Sequence, residues 1–187
     1  MRWLAGVATL WTALAAGLPA GQIIDSVACA ADDSQTYALF VPADYTPTRA
    51  WPVIFAFDPG ARGRTPVERY QAAATQYGFI VAGSNNSRNG SPEFVKAVQA
   101  MTTDVGTRFN IDPKRIYLAG MSGGSRVAMY VALQADGIAG VIASSAETSL
   151  RPAKSSPIAC TARNVTFTFF LSASAADRRL AKIRSIS

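Results

Sequence analysis

The sequence predicts an α/β fold: a mostly parallel sheet covered by helices on both faces. Three observations carry that prediction. Apolar runs alternate with amphipathic ones along most of the chain. The runs that read as strands are apolar on both sides, as strands buried under helices must be. The hydrophobic fraction of 49% against a charged fraction of 16% supplies enough apolar side chains for one sizeable core, so residues 21–187 are read as a single domain.

Taken in order, SQTYALFVP (34–42) alternates like a half-buried strand, and YTPTRAWP after it is a turn-rich connector. VIFAFD (53–58) is a continuous apolar run stopped at Asp58-Pro59-Gly60. The stretch from Thr65 to Gly78 reads as a helix, with Thr65 as N-cap, Pro66 at the first helical position and Gly78 as terminator. FIVAGSNNS (79–87) gives the next strand and its loop. Ser91-Pro92 opens a second helix, whose Phe94, Val95, Val98, Met101, Val105 and Phe109 fall on one face. Asn110-Ile111-Asp112-Pro113 reads as a break. Arg115 to Ala119 is then a strand, Ser122 to Gln134 a helix, and GVIASSA (140–146) and NVTFTFFLSA (164–173) two further strands.

Arg2, the apolar run from Trp3 to Leu18 and the small residues Pro19 and Ala20 have the order of a secretory signal peptide spanning residues 1–20. The apolar run is short for a membrane span, so no stable membrane insertion is expected after cleavage. A secreted or periplasmic location follows, where Cys29 and Cys160 could pair or remain two small buried thiols. The formal charge of +6 is scattered, with one dense basic group from Arg178 to Arg184. No nucleic-acid partner is expected without a clustered, aromatic-bearing patch.

The chemistry concentrates in RIYLAGMSGGSRVAMY (115–130). Gly120-Met121-Ser122-Gly123-Gly124 fits G-x-S-x-G between a predicted strand and a predicted helix. Glycines on either side of the serine let strand and helix backbones approach, forcing Ser122 into a sharp turn with its hydroxyl exposed. The Gly123 amide stands at the helix start, where it can donate to an oxyanion. A phosphate-binding loop is excluded because Ser125 and Arg126 stand where Lys-Ser/Thr is required, and no G-x-G-x-x-G is present.

YALFVPADY, WPVIFAFDPGARG, FIVAGSNNSRNG and RIYLAGMSGGSRVA occur in this order from Tyr37 to Ala128. On these stretches the chain resembles the α/β-hydrolases, in particular secreted carboxylesterases of the polyhydroxybutyrate-depolymerase, feruloyl-esterase and dienelactone-hydrolase-like group. The resemblance implies an eight-stranded sheet, a Ser-His-Asp/Glu triad and hydrolysis of a small-molecule or polymeric ester through an acyl-enzyme. No metal or cofactor is expected. It makes Ser122 the nucleophile and Gly123 one oxyanion donor. The second donor would come from the loop at Asp58-Pro59-Gly60-Ala61; Pro59 lacks an N–H, leaving Gly60 with Asp58 behind it. Asp177 stands near the place of the triad acid, with Glu147 as rival. Asn85, Asn86 and Ser87 could line a substrate pocket.

The departure from the pattern is the base. These 187 residues contain no histidine, and the sequence ends ten residues past Asp177. The expectation is a C-terminally truncated hydrolase lacking the final strand and histidine loop, with little or no activity. The alternative is a non-catalytic hydrolase-like domain that binds through the surviving cleft.

Overall fold

The computed structural model describes residues 17–144 and the strand Thr166–Phe170. The described elements are β1 (Ile23–Cys29), β2 (Asp32–Phe40), β3 (Trp51–Phe57), α1 (Arg64–Tyr77), β4 (Ile80–Ser84), α2 (Phe94–Arg108), β5 (Ile111–Met121), α3 (Gly123–Gln134), β6 (Ile138–Ser144) and β7 (Thr166–Phe170). Residues 1–16, most of the predicted leader, lie outside them.

The seven strands form one sheet in the order β1-β2-β4-β3-β5-β6-β7. β1, β2 and β4 pair antiparallel, and every pair from β4 to β7 is parallel. β3 is buried at all seven positions, which is why its sequence shows no polar alternation. Its pleat feeds two cores. Val53, Phe55 and Phe57 face one side with Val98, Met101 and Val105 of α2 and Val127 and Ala128 of α3. Ile54 and Ala56 face the other with Val67 and Ala74 of α1. Full burial of each large side chain is worth about 1.5–3 kcal/mol relative to exposure.

Three local readings are corrected. The helix after β3 begins at Arg64 behind Gly63, and Thr65 makes no capping hydrogen bond. Pro66 is tolerated in the first turn, where its missing N–H would have no intrahelical partner. The C-terminal reading stands: Gly78 adopts φ 71° and donates to the Ala74 carbonyl at 2.9 Å. Asn110-Ile111-Asp112-Pro113 does not end a segment. Ile111 pairs with Trp51 and Ile116 with Val53, so the intervening residues bulge out of register inside β5 and no ladder bond is asked of Pro113. β1 forms over Ile23–Cys29, where no strand is expected from the pattern of residues.

Candidate active site

β3, β4, β5 and β6 all end at the same sheet edge, and parallel α/β sheets place their ligands beyond the carboxyl ends of their strands. There β5 turns into α3 at Ser122. The turn is tight because both flanking positions lack a side chain. A Cβ on Gly120 would lie 2.2 Å from the Gly124 carbonyl oxygen, and one on Gly124 would lie 2.1 Å from the Phe57 carbonyl oxygen. Backbone therefore packs on backbone from β3 through β5 to α3.

Ser122 absorbs the strain at φ 52°, ψ −119°, a conformation that costs a non-glycine residue on the order of 1–3 kcal/mol. It is held there by neighbours. Its N–H donates to the Ser144 carbonyl at 2.8 Å, and its carbonyl accepts from the Ser125 N–H at 3.0 Å. The buried Ser125 hydroxyl donates to the Gly120 carbonyl at 2.7 Å and lies 3.1 Å from that of Ser144. Ser122 itself is exposed, while Gly123 beside it is buried. As the first residue of α3, Gly123 has an N–H with no intrahelical acceptor, at the positive end of the helix dipole.

The loop after β3 is arranged around Asp58. This side chain is buried and accepts from the Gly60 N–H at 2.8 Å, from the Arg62 N–H at 3.3 Å and from both sides of the Arg62 guanidinium at 2.9 and 3.1 Å. Burial pushes its carboxyl up, but the hydrogen bonds from Arg62 and the Gly60 amide outweigh that and hold it below the ordinary carboxylate value. The Gly60 N–H, expected as the second oxyanion donor, is thus turned onto Asp58 within its own loop.

The loop after β4 also differs from expectation. Asn85 accepts from the Gly63 N–H and donates to the Asp25 carbonyl and the Thr36 hydroxyl; Asn86 accepts from the Thr36 N–H and donates to the Ser34 carbonyl. Both amides are spent fastening the loop to β1, β2 and the start of α1. Ser87 is buried, and its hydroxyl has no partner among the described residues. Asn89, which carries no motif in the sequence, lies against the turn at Ser122: a Cβ on Gly123 would come within 2.5 Å of its Nδ2. The signal was available in the doubled glycine Gly123-Gly124, because a missing side chain at residue 123 leaves room for another to fill.

Asp177, Glu147 and Cys160, read from the sequence as the triad acid, its rival and a possible disulfide partner, lie outside the described residues. Cys29 is buried and has no disulfide partner among the described residues. No described helix is long and apolar enough to cross a membrane, and among the described residues no group of three or more His, Cys, Asp or Glu is placed to hold a metal. A small cavity of about 30 Å³, room for a water, sits between Phe57, Arg69, Met121 and Ser144 beneath the turn. The larger cavity, about 430 Å³, opens between α2 and α3 near Ile111, Ile116 and Ile138, at the opposite ends of the strands from Ser122.

No family model matches the chain, and no curated protein matches it by sequence. Solved structures do. The substrate-bound fluorophosphonate-binding serine hydrolase F of Staphylococcus aureus superposes with a TM-score of 0.55 at 18% identity, covering 68% of this chain and 58% of that one. A thermostable esterase matches with a TM-score of 0.55 at 15% identity, over 81% of this chain and 54% of its own. The acetyl xylan esterase from Aspergillus awamori matches with a TM-score of 0.51 at 17% identity, over 67% and 53%. The chain therefore spans somewhat more than half the length of each. A mostly parallel sheet with an antiparallel edge, the described helices divided two on one face and one on the other, and a strained serine between β5 and α3 together make this an α/β-hydrolase fold.

Proposed function

We propose that this chain carries the nucleophile side of a serine-dependent carboxylic-ester hydrolase site. One observation carries the reading: Ser122 is exposed, strained at φ 52°, and seated between the end of β5 and the first free amide of α3. Several structures of the same fold belong to proteins described as esterases, which supports an ester as substrate. In the proposed reaction the Ser122 hydroxyl attacks the ester carbonyl, the Gly123 N–H meets the developing oxyanion, and the alcohol leaves before water releases the acyl group. Asp177 remains the proposed acid. Export, on the strength of the Arg2-led apolar segment, belongs to the same proposal.

The attack needs a base to take the serine proton, and these 187 residues contain no histidine. The chain alone is therefore expected to hydrolyse p-nitrophenyl acetate negligibly. Added imidazole supplies a base of suitable pKa and should raise a rate that the chain shows and Ser122→Ala lacks. A robust Ser122-dependent rate without imidazole would show that another group serves as base. Equal rates for the chain and Ser122→Ala in imidazole would overturn the esterase reading and leave the non-catalytic binding domain.

A further inference from the structure

We propose that the side-chain amide of Asn89 is the second oxyanion donor at Ser122. The inference rests on the esterase reading above and adds a residue to that site. An acyl-transfer site of this kind needs two donors converging on the oxygen that becomes negative. Here the loop after β3 supplies none. Pro59 has no N–H, and the Gly60 N–H donates to the Asp58 carboxylate at 2.8 Å. The Ala61 N–H donates to the Asp58 carbonyl at 3.0 Å, and the Arg62 N–H to the Asp58 side chain at 3.3 Å. Every amide from Gly60 to Arg62 is thus committed inside its own turn.

Asn89 stands where a donor is missing. Its backbone N–H donates to the Pro59 carbonyl at 3.2 Å, which ties the loop after β4 across the loop after β3. Its side chain occupies the space that a side chain at residue 123 would fill: a Cβ built there meets Nδ2 at 2.5 Å and both Cβ and Cγ at 2.7 Å. A Cβ lies about 2.5 Å from the nitrogen of its own residue, so Nδ2 is within about 5 Å of the Gly123 amide nitrogen. Two donors each about 2.7–3.1 Å from one shared oxygen are separated by about that much. Asn89 Nδ2 has no acceptor among the described residues, whereas Asn85 and Asn86 in the same loop spend theirs on backbone and Thr36. Glycine at residue 123 is what admits the carboxamide; any larger residue there would push it away from the turn.

The test uses phenylboronic acid, which adds to a serine hydroxyl as a tetrahedral anion and therefore reports on the hole without turnover. Binding to the full chain is followed by ¹¹B NMR, alongside Ser122→Ala, Asn89→Ala and Asn89→Asp. Asn89→Asp keeps the shape and the contact with Gly123 while removing the donor; thermal melts confirm that each variant is folded. The expected result is a tetrahedral adduct with the parent, none with Ser122→Ala, and affinity lowered about 10²-fold in both Asn89 variants. Parent-like binding by either Asn89 variant, with Ser122→Ala still inert, would overturn the role of Asn89 and leave the nucleophile standing. No Ser122-dependent adduct in the parent would overturn the esterase reading and this inference with it.

Discussion

At the scale of single residues, the turn at Ser122 is fixed by what is missing from it. Added methyl groups at Gly120 and Gly124 would meet backbone oxygens at 2.2 and 2.1 Å, and backbone held in a sheet or a helix start cannot step aside. Gly106 is the contrasting case. It lies in the last turn of α2, exposed, with open space around its missing Cβ and no left-handed φ to relieve. Gly106→Ala should therefore stabilise the chain by about 0.5–1 kcal/mol, through helix propensity and a less disordered unfolded state. Gly124→Ala should cost several times that, on the order of 3 kcal/mol. Urea midpoints decide the matter, and equal midpoints for the two variants would refute the packing account. Ser122, Gly120 and Gly124 were legible in the sequence because the spacing of glycines encodes a backbone approach directly. Asn89 was legible only in part: the doubled glycine shows that room is left at residue 123, but which side chain fills it depends on the loops after β3 and β4 meeting in three dimensions. Gly60 shows a related limit: the sequence shows an available N–H, but the Asp58 carboxylate that takes it turns back only in three dimensions.

At the scale of elements, a buried polar cluster fastens α2 to the antiparallel edge of the sheet. Asp104 accepts from the Tyr37 hydroxyl of β2 at 2.6 Å, from the Ala30 N–H of the β1–β2 turn at 2.8 Å and from Arg108 at 2.6 Å. Arg108 also reaches the Ala28 carbonyl at 3.1 Å. Removing the carboxylate strands a buried hydroxyl, an amide and a guanidinium whose side chain is only 14% exposed. Asp104→Ala should cost about 3–5 kcal/mol by urea unfolding, the range for breaking a buried pair; a loss under about 1 kcal/mol would show the cluster to be dispensable. That edge is also where element-level reading fell short. β2 to β6 were legible from apolar runs bounded by turns, whereas Ile23–Cys29 buries only Val27 and Cys29 and shifts register twice against β2. An edge strand with bulges carries little alternation for a reader to find. Asp112-Pro113 misled in the opposite direction, since a bulge tolerates residues that a regular strand excludes.

At the scale of the whole molecule, the parallel centre was legible because strands buried on both faces must be apolar throughout, while the antiparallel order of β1, β2 and β4 depends on long-range pairing. The charge balance of the folded state adds a prediction about pH. Burial pushes the Asp104 carboxyl up, but Arg108, the Ala30 N–H and Tyr37 together hold it below its ordinary 3.8; Asp58 is held down in the same way by Arg62 and the Gly60 amide. Both native carboxylates release protons more readily than their unfolded counterparts. Their stabilisation is present above 3.8 and is lost as pH falls below it. The opposite limb has its own groups. Burial, then the nearby Asp104 charge, pushes the Cys29 thiol from 9.0 up to about 11, and burial with the hydrogen bond to Asp104 raises Tyr37 above its ordinary 10.0. Here the folded state favours the neutral forms, so stability is present below 9.0 and 10.0 and is lost as pH rises beyond them. The free energy of urea unfolding should be level between about pH 5 and 8 and fall on both sides. Because Asp104 contributes to both limbs, Asp104→Asn should flatten each of them as well as lower the plateau. Stability that increased from pH 5 down to pH 3, or an Asp104→Asn profile parallel to the parent at both ends, would contradict this assignment of the titrating groups.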